Sequence, residues 1–469
     1  MSTSSPQYLA FLAAVVLLLP MLPRGGPRIA AIAIVSCAWY AIFERSHLAM
    51  LALISATAWV GGVVVERMRG DQSKRAAFTV ALGLTLMPLF AFKYVVPATG
   101  GAASGWTLAA AALPVGISFY SFQAAAYLID VFIGVQPAEP RFWRFAAFMS
   151  FFPQLTAGPI SRGRQLLPQL PHLGEFDAVR AVAGARALLL GFFMKVVIAD
   201  SIAPVVEDVY SQGAAASATD LLLGTIYFSF QVYADFAGYS LMAIGAGRLL
   251  GVELPQNFAQ PYLSQSLTEY WRTWHMTLSA WVRDYILTPL QLSWRRSGNI
   301  GLAAAIVVTF VVVGVWHGGA WKFFWFGLIH GVLVMVATLT ARRRSRFWLR
   351  SGVPQHALAI ARVLGTFSVV TLTFVLFRSA GTAEAVAIYR RLMTGPYPPS
   401  ALPLLWPGLA IAVLITGDLL ARRNFTPDRL PAAARWTLYH AAASTGLAVF
   451  LWRYLSGNPV ANQFIYYKF

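Results

Sequence analysis

The sequence predicts an all-α, polytopic integral membrane protein. Three observations predict it: an apolar composition, apolar blocks long enough to cross a bilayer, and basic residues gathered in the short connections between those blocks. Of 469 residues, 58% are hydrophobic and 12% charged, and the mean hydropathy is +0.62. A soluble domain carries about 25% charged residues. Half that fraction leaves too little polar surface to cover a globule in water.

The blocks follow in order. Gln7 to Leu22, Ile29 to Phe43, Leu48 to Val65 and Ala76 to Val96 come first. A crossing helix needs roughly 20 apolar residues, with a lower limit near 17, so the first two are short. Leu108 to Gly134, Phe145 to Ile160, Ala181 to Ile198 and Leu221 to Leu250 occupy the middle. Leu302 to Trp316, Trp321 to Leu339, Ile360 to Phe377, Leu404 to Leu420 and Trp436 to Tyr454 complete the chain. No soluble domain fits between them, and no repeat of 20–50 residues is present. We therefore expect residues 1–469 to form one membrane domain. Pro114, Gly116, Pro153, Gly158 and Pro159 should interrupt helices. Broken backbone at membrane depth persists only where protein covers it or it lines a wet cavity.

The first block has no basic stretch before it and no clear cleavage site, so it reads as a retained helix rather than a signal peptide. The single cysteine, Cys37, excludes an intramolecular disulfide and argues against a cysteine-based metal site. The net charge of +18 gathers in short loops, at Arg67, Arg69, Lys74 and Arg75 and again at Arg342, Arg343, Arg344 and Arg346. Such loops lie on the cytoplasmic side, where they meet anionic lipid. Three crossings before Arg67 would then put the N-terminus outside. No nucleic-acid-binding motif accompanies the charge.

Two stretches carry unusual chemistry. From Glu269 to Tyr285 the chain reads as an aromatic, polar helix. On an unbroken helix Trp271, Trp274, His275, Leu278, Val282 and Tyr285 share one face, whereas Arg272, Ser279 and Arg283 do not. Two readings stand: an interfacial helix with Trp anchors, or a cavity wall carrying His275. The second stretch runs from Gly314 through Trp316 and His317 to Trp321, followed by His330 and Gly331. His317 ends an apolar run, and a histidine at that depth is costly unless it faces protein or water. It is either a structural histidine bonded to a carbonyl or a general base, since imidazole exchanges a proton near neutral pH. His330 lies 13 residues further on, which is about 20 Å along an unbroken helix and out of phase. It should orient other groups rather than react.

Other chemistries lack their motifs: no nucleophile elbow, zinc-protease helix or phosphate loop occurs. Gly245, Gly247 and Gly251 miss the dinucleotide spacing and read as close helix packing. Asp130, Lys195, Asp200, Asp235 and Asp418 lie in or beside apolar blocks, which keeps a transporter open as an alternative.

Taken in order, these motifs resemble the membrane-bound O-acyltransferase superfamily, and within it the bacterial alginate O-acetyltransferase branch. The resemblance rests on Pro114 to Tyr120, Tyr127 to Asp130, and Phe151 to Gln154 with Ala157 to Pro159. It continues through Tyr233 to Tyr239, Gly251 to Asn257, Trp271 to His275 and Arg283 to Tyr285. Trp316 to Gly318, His330 with Gly331, Phe377 with Arg378, and the terminal Phe464 to Phe469 complete it. It implies a ring of tilted helices around a thinned centre, with a tunnel or paired funnels, and a motif-bearing core at 110–380. It implies catalytic roles for His317 and His275. Around them it implies a supporting or tunnel-lining set: His330, Trp271, Trp274, Arg283, Asp284, Tyr285, Trp316, Asp235 and Gln154. It further implies a multi-pass protein of the bacterial cytoplasmic membrane with no resident cofactor or metal. The donor would be acetyl-CoA or another acyl thioester. The acceptor would be an envelope glycan or a periplasmic acetyltransferase partner. A related branch implies D-alanyl transfer from a carrier protein. Thr288 to Trp294 departs from the family pattern by lacking its glycine pair, at the expected cytoplasmic mouth.

Overall fold

The computed structural model describes residues 3–43, 45–95, 97, 113–350 and 352–456. Among them every regular element is helical, and seven helices are long and apolar enough to cross a membrane. These are His47–Arg67, Asp71–Val95, Ala178–Ala215, Arg295–His317, Trp321–Leu339, Gln355–Arg378 and Leu405–Arg422. Pro6–Met21, Gly26–Ile42 and Ile117–Phe132 are shorter and apolar. The terminal Phe464 to Phe469 motif lies outside the described residues. The chain divides into two compact units, one of Met1–Gly191 with Tyr239–Gln256, the other of Phe192–Gly238 with Asn257–Phe469.

In the first unit the helix Ile117–Phe132 is buried on nearly every side. That burial brings polar groups with it, and Asp130 is met by Arg164 at 3.7 Å. The helix Phe142–Ser150 stops where Pro153 removes an amide and Gly158 and Pro159 follow. The non-helical run beyond it is buried, so its polar groups need partners. Ser36 Oγ accepts from the Phe152 amide at 3.2 Å, and the hydroxyls of Thr156 and Tyr239 bond one another. Protein thus covers the broken backbone. Gly245 meets Gly184 so closely that a Cβ on it would lie 2.6 Å from the Gly184 carbonyl oxygen. The Gly245 region is helix packing, as its spacing predicts.

In the second unit the helices Gly298–His317 and Trp321–Leu339 form a tight hairpin. Gly314 and Gly327 permit it: a Cβ on Gly314 would sit 2.3 Å from the Phe323 carbonyl oxygen, and one on Gly327 2.4 Å from that of Phe310. Small residues let apolar helices gain dispersion contact where lipid offers no hydrophobic drive. The buried acids are partnered. Lys195, in the π-helical turn Met194–Ala199, bonds Asp200 at 2.8 Å and Asp235 at 2.7 Å. Arg453 closes the group, 3.6 Å from Asp200. Tyr233 donates to Asp418 at 3.0 Å. Two cations balance two carboxylates in the four-residue cluster, as a dry interior requires.

Candidate functional site

The stretch from Glu269 to Tyr285 is not one helix. It forms the helices Leu267–Thr273 and Met276–Val282 and then a π-helical turn, Arg283–Leu287. The break falls at His275, whose backbone is left-handed (φ 43°, ψ 54°). That conformation costs an L-residue about 1–2 kcal/mol. Asn257 holds it: its carbonyl accepts from the Met276 amide at 2.9 Å, and its Oδ1 from the Thr277 hydroxyl at 2.9 Å and amide at 3.3 Å. The Ala259 amide adds a bond to the Thr273 carbonyl at 2.9 Å. The second helix thus starts on side-chain caps, and the single-helix periodicity does not apply across the break.

The break turns the His275 side chain inward until it is 1% exposed. Its ring lies edge-on to Phe236 at 4.7 Å and 6.1 Å from the Trp316 indole. His317 is the last residue of the Gly298–His317 helix and is 5% exposed. Its ring contacts Trp316 at 4.7 Å and Phe377 at 4.9 Å. One indole therefore touches both histidines. Burial pushes the His275 imidazole down to about 3, from an ordinary value near 6.5. The unfolded chain then binds more protons between those values. The stability contributed by neutral His275 is whole above pH 6.5 and is lost as pH falls toward 3. We predict that the melting temperature of wild type drops more steeply over that acid range than that of His275→Gln. Equal slopes would refute it.

His330 is fully buried and sits in a proton-ordered chain. The Trp271 indole N–H donates to its Nδ1 at 3.2 Å, Nε2 lies 2.9 Å from Thr373 Oγ1, and Thr373 Oγ1 donates to the Val370 carbonyl at 2.7 Å. Indole only donates and the threonine proton is committed, so the imidazole carries its proton on Nε2. His330 is thereby occupied at both nitrogens. Phe326 stands between it and His317, at 4.6 Å and 6.2 Å respectively.

Trp274 packs among Tyr262, Tyr270, Phe258 and Phe374. Such aromatic pairs add about 0.5–1.5 kcal/mol each beyond burial. Arg283 and Asp284 pair with each other at 2.9 Å near the surface, and Tyr285 packs on Trp281. Gln154 lies in the first unit, 1% exposed, with its amide nitrogen 3.4 Å from the Phe148 carbonyl. Asp235 belongs to the lysine cluster.

Sequence reasoning missed Lys322. Its ammonium donates to the Ser379 carbonyl at 2.6 Å and the Phe377 carbonyl at 3.3 Å. It thereby satisfies the end of the Gln355–Arg378 helix. Phe377, whose carbonyl it holds, is the residue whose ring lies on His317. The one signal was a lysine in the first turn of an apolar helix, close after His317.

Fold and site together define a multi-pass membrane protein with two enclosed histidines sharing an indole wall. The family model for membrane-bound O-acyltransferases matches residues 134–377. A probable alginate O-acetylase of Azotobacter vinelandii is 32% identical over 368 residues, 76% of this chain and 71% of that protein. A peptidoglycan O-acetyltransferase of Helicobacter pylori is 30% identical over 307 residues, 60% of this chain and 57% of that protein. A teichoic acid D-alanyltransferase of Streptococcus thermophilus is 28% identical over 350 residues, 70% of this chain and 82% of that protein. Matches to probable alginate O-acetylases of Pseudomonas species span about half of those proteins' length. The chain belongs to the membrane-bound O-acyltransferase family. Its reaction class is O-acyl transfer, its substrate an acyl donor, and the transporter alternative falls away.

Proposed function

We propose that this chain transfers an acetyl group from cytoplasmic acetyl-CoA, across a bacterial cytoplasmic membrane, to a hydroxyl on an envelope glycan or on a periplasmic relay partner. Residues 1–469 act as one acyltransferase domain with its motif-bearing core at 110–380. His317 draws the proton from the acceptor hydroxyl. The hydroxyl oxygen then bonds to the acetyl carbon, the carbon–sulfur bond breaks, and the released thiolate takes up the proton. His275, neutral at working pH, donates its single N–H to the acetyl oxygen as negative charge develops there. Trp316 supports both rings, and Lys322 holds Phe377 against His317. The enclosure of His317 at a spanning-helix end, against the indole that also meets His275, is the observation that carries this reading.

A second reading is D-alanyl transfer from a carrier protein. It is favoured by length, since the match covers 82% of the Streptococcus D-alanyltransferase but 71% of the Azotobacter relative. Purified protein in proteoliposomes, given labelled acetyl-CoA in one arm and D-alanyl carrier protein in the other, separates them. We expect thioester loss and label transfer with acetyl-CoA. Turnover with the carrier protein alone would replace acetyl with D-alanyl.

A further inference from the structure

Between the spanning helices Trp321–Leu339 and Gln355–Arg378, the chain forms one short helix, Ala341–Arg350. Connectivity fixes its level, because it begins where one span ends and the next span starts soon after. It lies at the membrane surface. It carries five arginines and no acid. Arg344 is committed, donating to the Ala337 carbonyl at 2.8 Å.

Arg343, Arg346 and Arg350 differ. With Phe347 they follow the i, i+3, i+4, i+7 spacing and so share one face. The same four residues line a concavity of about 390 Å³. None of the three guanidinium groups forms an ion pair or hydrogen bond among the described residues. Three other arginines, each at least partly exposed, do pair with an acid: Arg248 meets Glu253, Arg378 meets Glu207, and Arg422 meets Glu269. Three uncompensated like charges on one face repel each other, so an anion bound there gains from all three. Phe347 stands among them 64% exposed. An aromatic ring at the membrane surface prefers the boundary between headgroup and acyl chain. A soluble phosphate would have no use for it.

We propose that Arg343, Arg346 and Arg350 bind the phosphate headgroup of one anionic phospholipid, with Phe347 against its acyl chains. Guanidinium groups pair with phosphate oxygens in a fixed, two-pronged geometry, which makes this a site rather than a diffuse basic surface. The inference is independent of which acyl group the enzyme moves.

The test uses the full chain in a neutral detergent, with native mass spectrometry as readout. The probes are dioctanoyl phosphatidylglycerol and dioctanoyl phosphatidylcholine, with free coenzyme A as a phosphate-bearing competitor. One phosphatidylglycerol adduct should persist, phosphatidylcholine should not, and coenzyme A should not displace the lipid. Each arginine near an anionic surface is worth about fivefold in affinity. Arg343→Gln/Arg346→Gln/Arg350→Gln should therefore weaken the adduct about 100-fold. Arg346→Gln alone should weaken it about fivefold and provides the reading if the triple variant melts early. Unchanged retention in Arg346→Gln overturns the proposal, as does displacement by coenzyme A, which would mark a soluble-phosphate site.

Discussion

His317→Ala is expected to leave the protein folded and in the membrane while acyl transfer falls about 10²–10⁴-fold, the usual share of a general base. The reason lies in its surroundings. Its ring is 5% exposed and packs against the edges of Trp316 and Phe377. An imidazole held that way changes protonation without moving. Truncation to alanine also leaves a cavity, which by itself costs stability. His317→Gln should be made beside it, because glutamine keeps a polar, space-filling side chain but cannot cycle a proton. Both variants should lose thioester consumption and product label together, with the donor KM little changed. Melting temperature separates loss of chemistry from loss of fold. Wild-type turnover in His317→Gln would remove His317 from the reaction.

Lys195→Met is expected to cost the most stability, about 3–5 kcal/mol, the usual result of leaving a buried charge uncompensated. Lys195 bonds Asp200 and Asp235 at 2.8 and 2.7 Å, and all three side chains are almost fully buried. Without the ammonium, Arg453 alone faces two carboxylates. The partner experiment is Lys195→Met/Asp235→Leu, which leaves the Arg453–Asp200 pair in balance. If charge balance is what the cluster supplies, the double variant should melt well above the single one. Thermal unfolding in one fixed detergent provides the comparison. A double variant as unstable as the single one would assign the effect to lost packing instead.

These expectations draw on different amounts of sequence information. The spanning helices Trp321–Leu339 and Gln355–Arg378 were legible because hydropathy over some twenty residues is a local property. The halt after Ser150 was legible because Pro153 removes a backbone donor whatever its neighbours are. His317 was legible as unusual because a histidine closing an apolar run needs a reason. The position of His275 was not. Its stretch reads as one helix, and the break depends on Asn257, a residue distant in sequence that caps the Met276–Val282 helix. The tie from Trp271 through His330 to Thr373 was hidden for the same reason, since it joins three separate helices.

The sequence by itself thus determined that the chain lives in a membrane, where the seven long apolar helices run, and that His317 is out of place there. Those properties follow from transfer free energies that add residue by residue along the chain. Only the tertiary structure decided that His275 and His317 share the Trp316 ring, that His330 is occupied at both nitrogens, and that Lys322 secures Phe377. These depend on the direction of individual side chains after the helices have packed. Directional contacts between residues far apart in the chain leave no periodic trace in it.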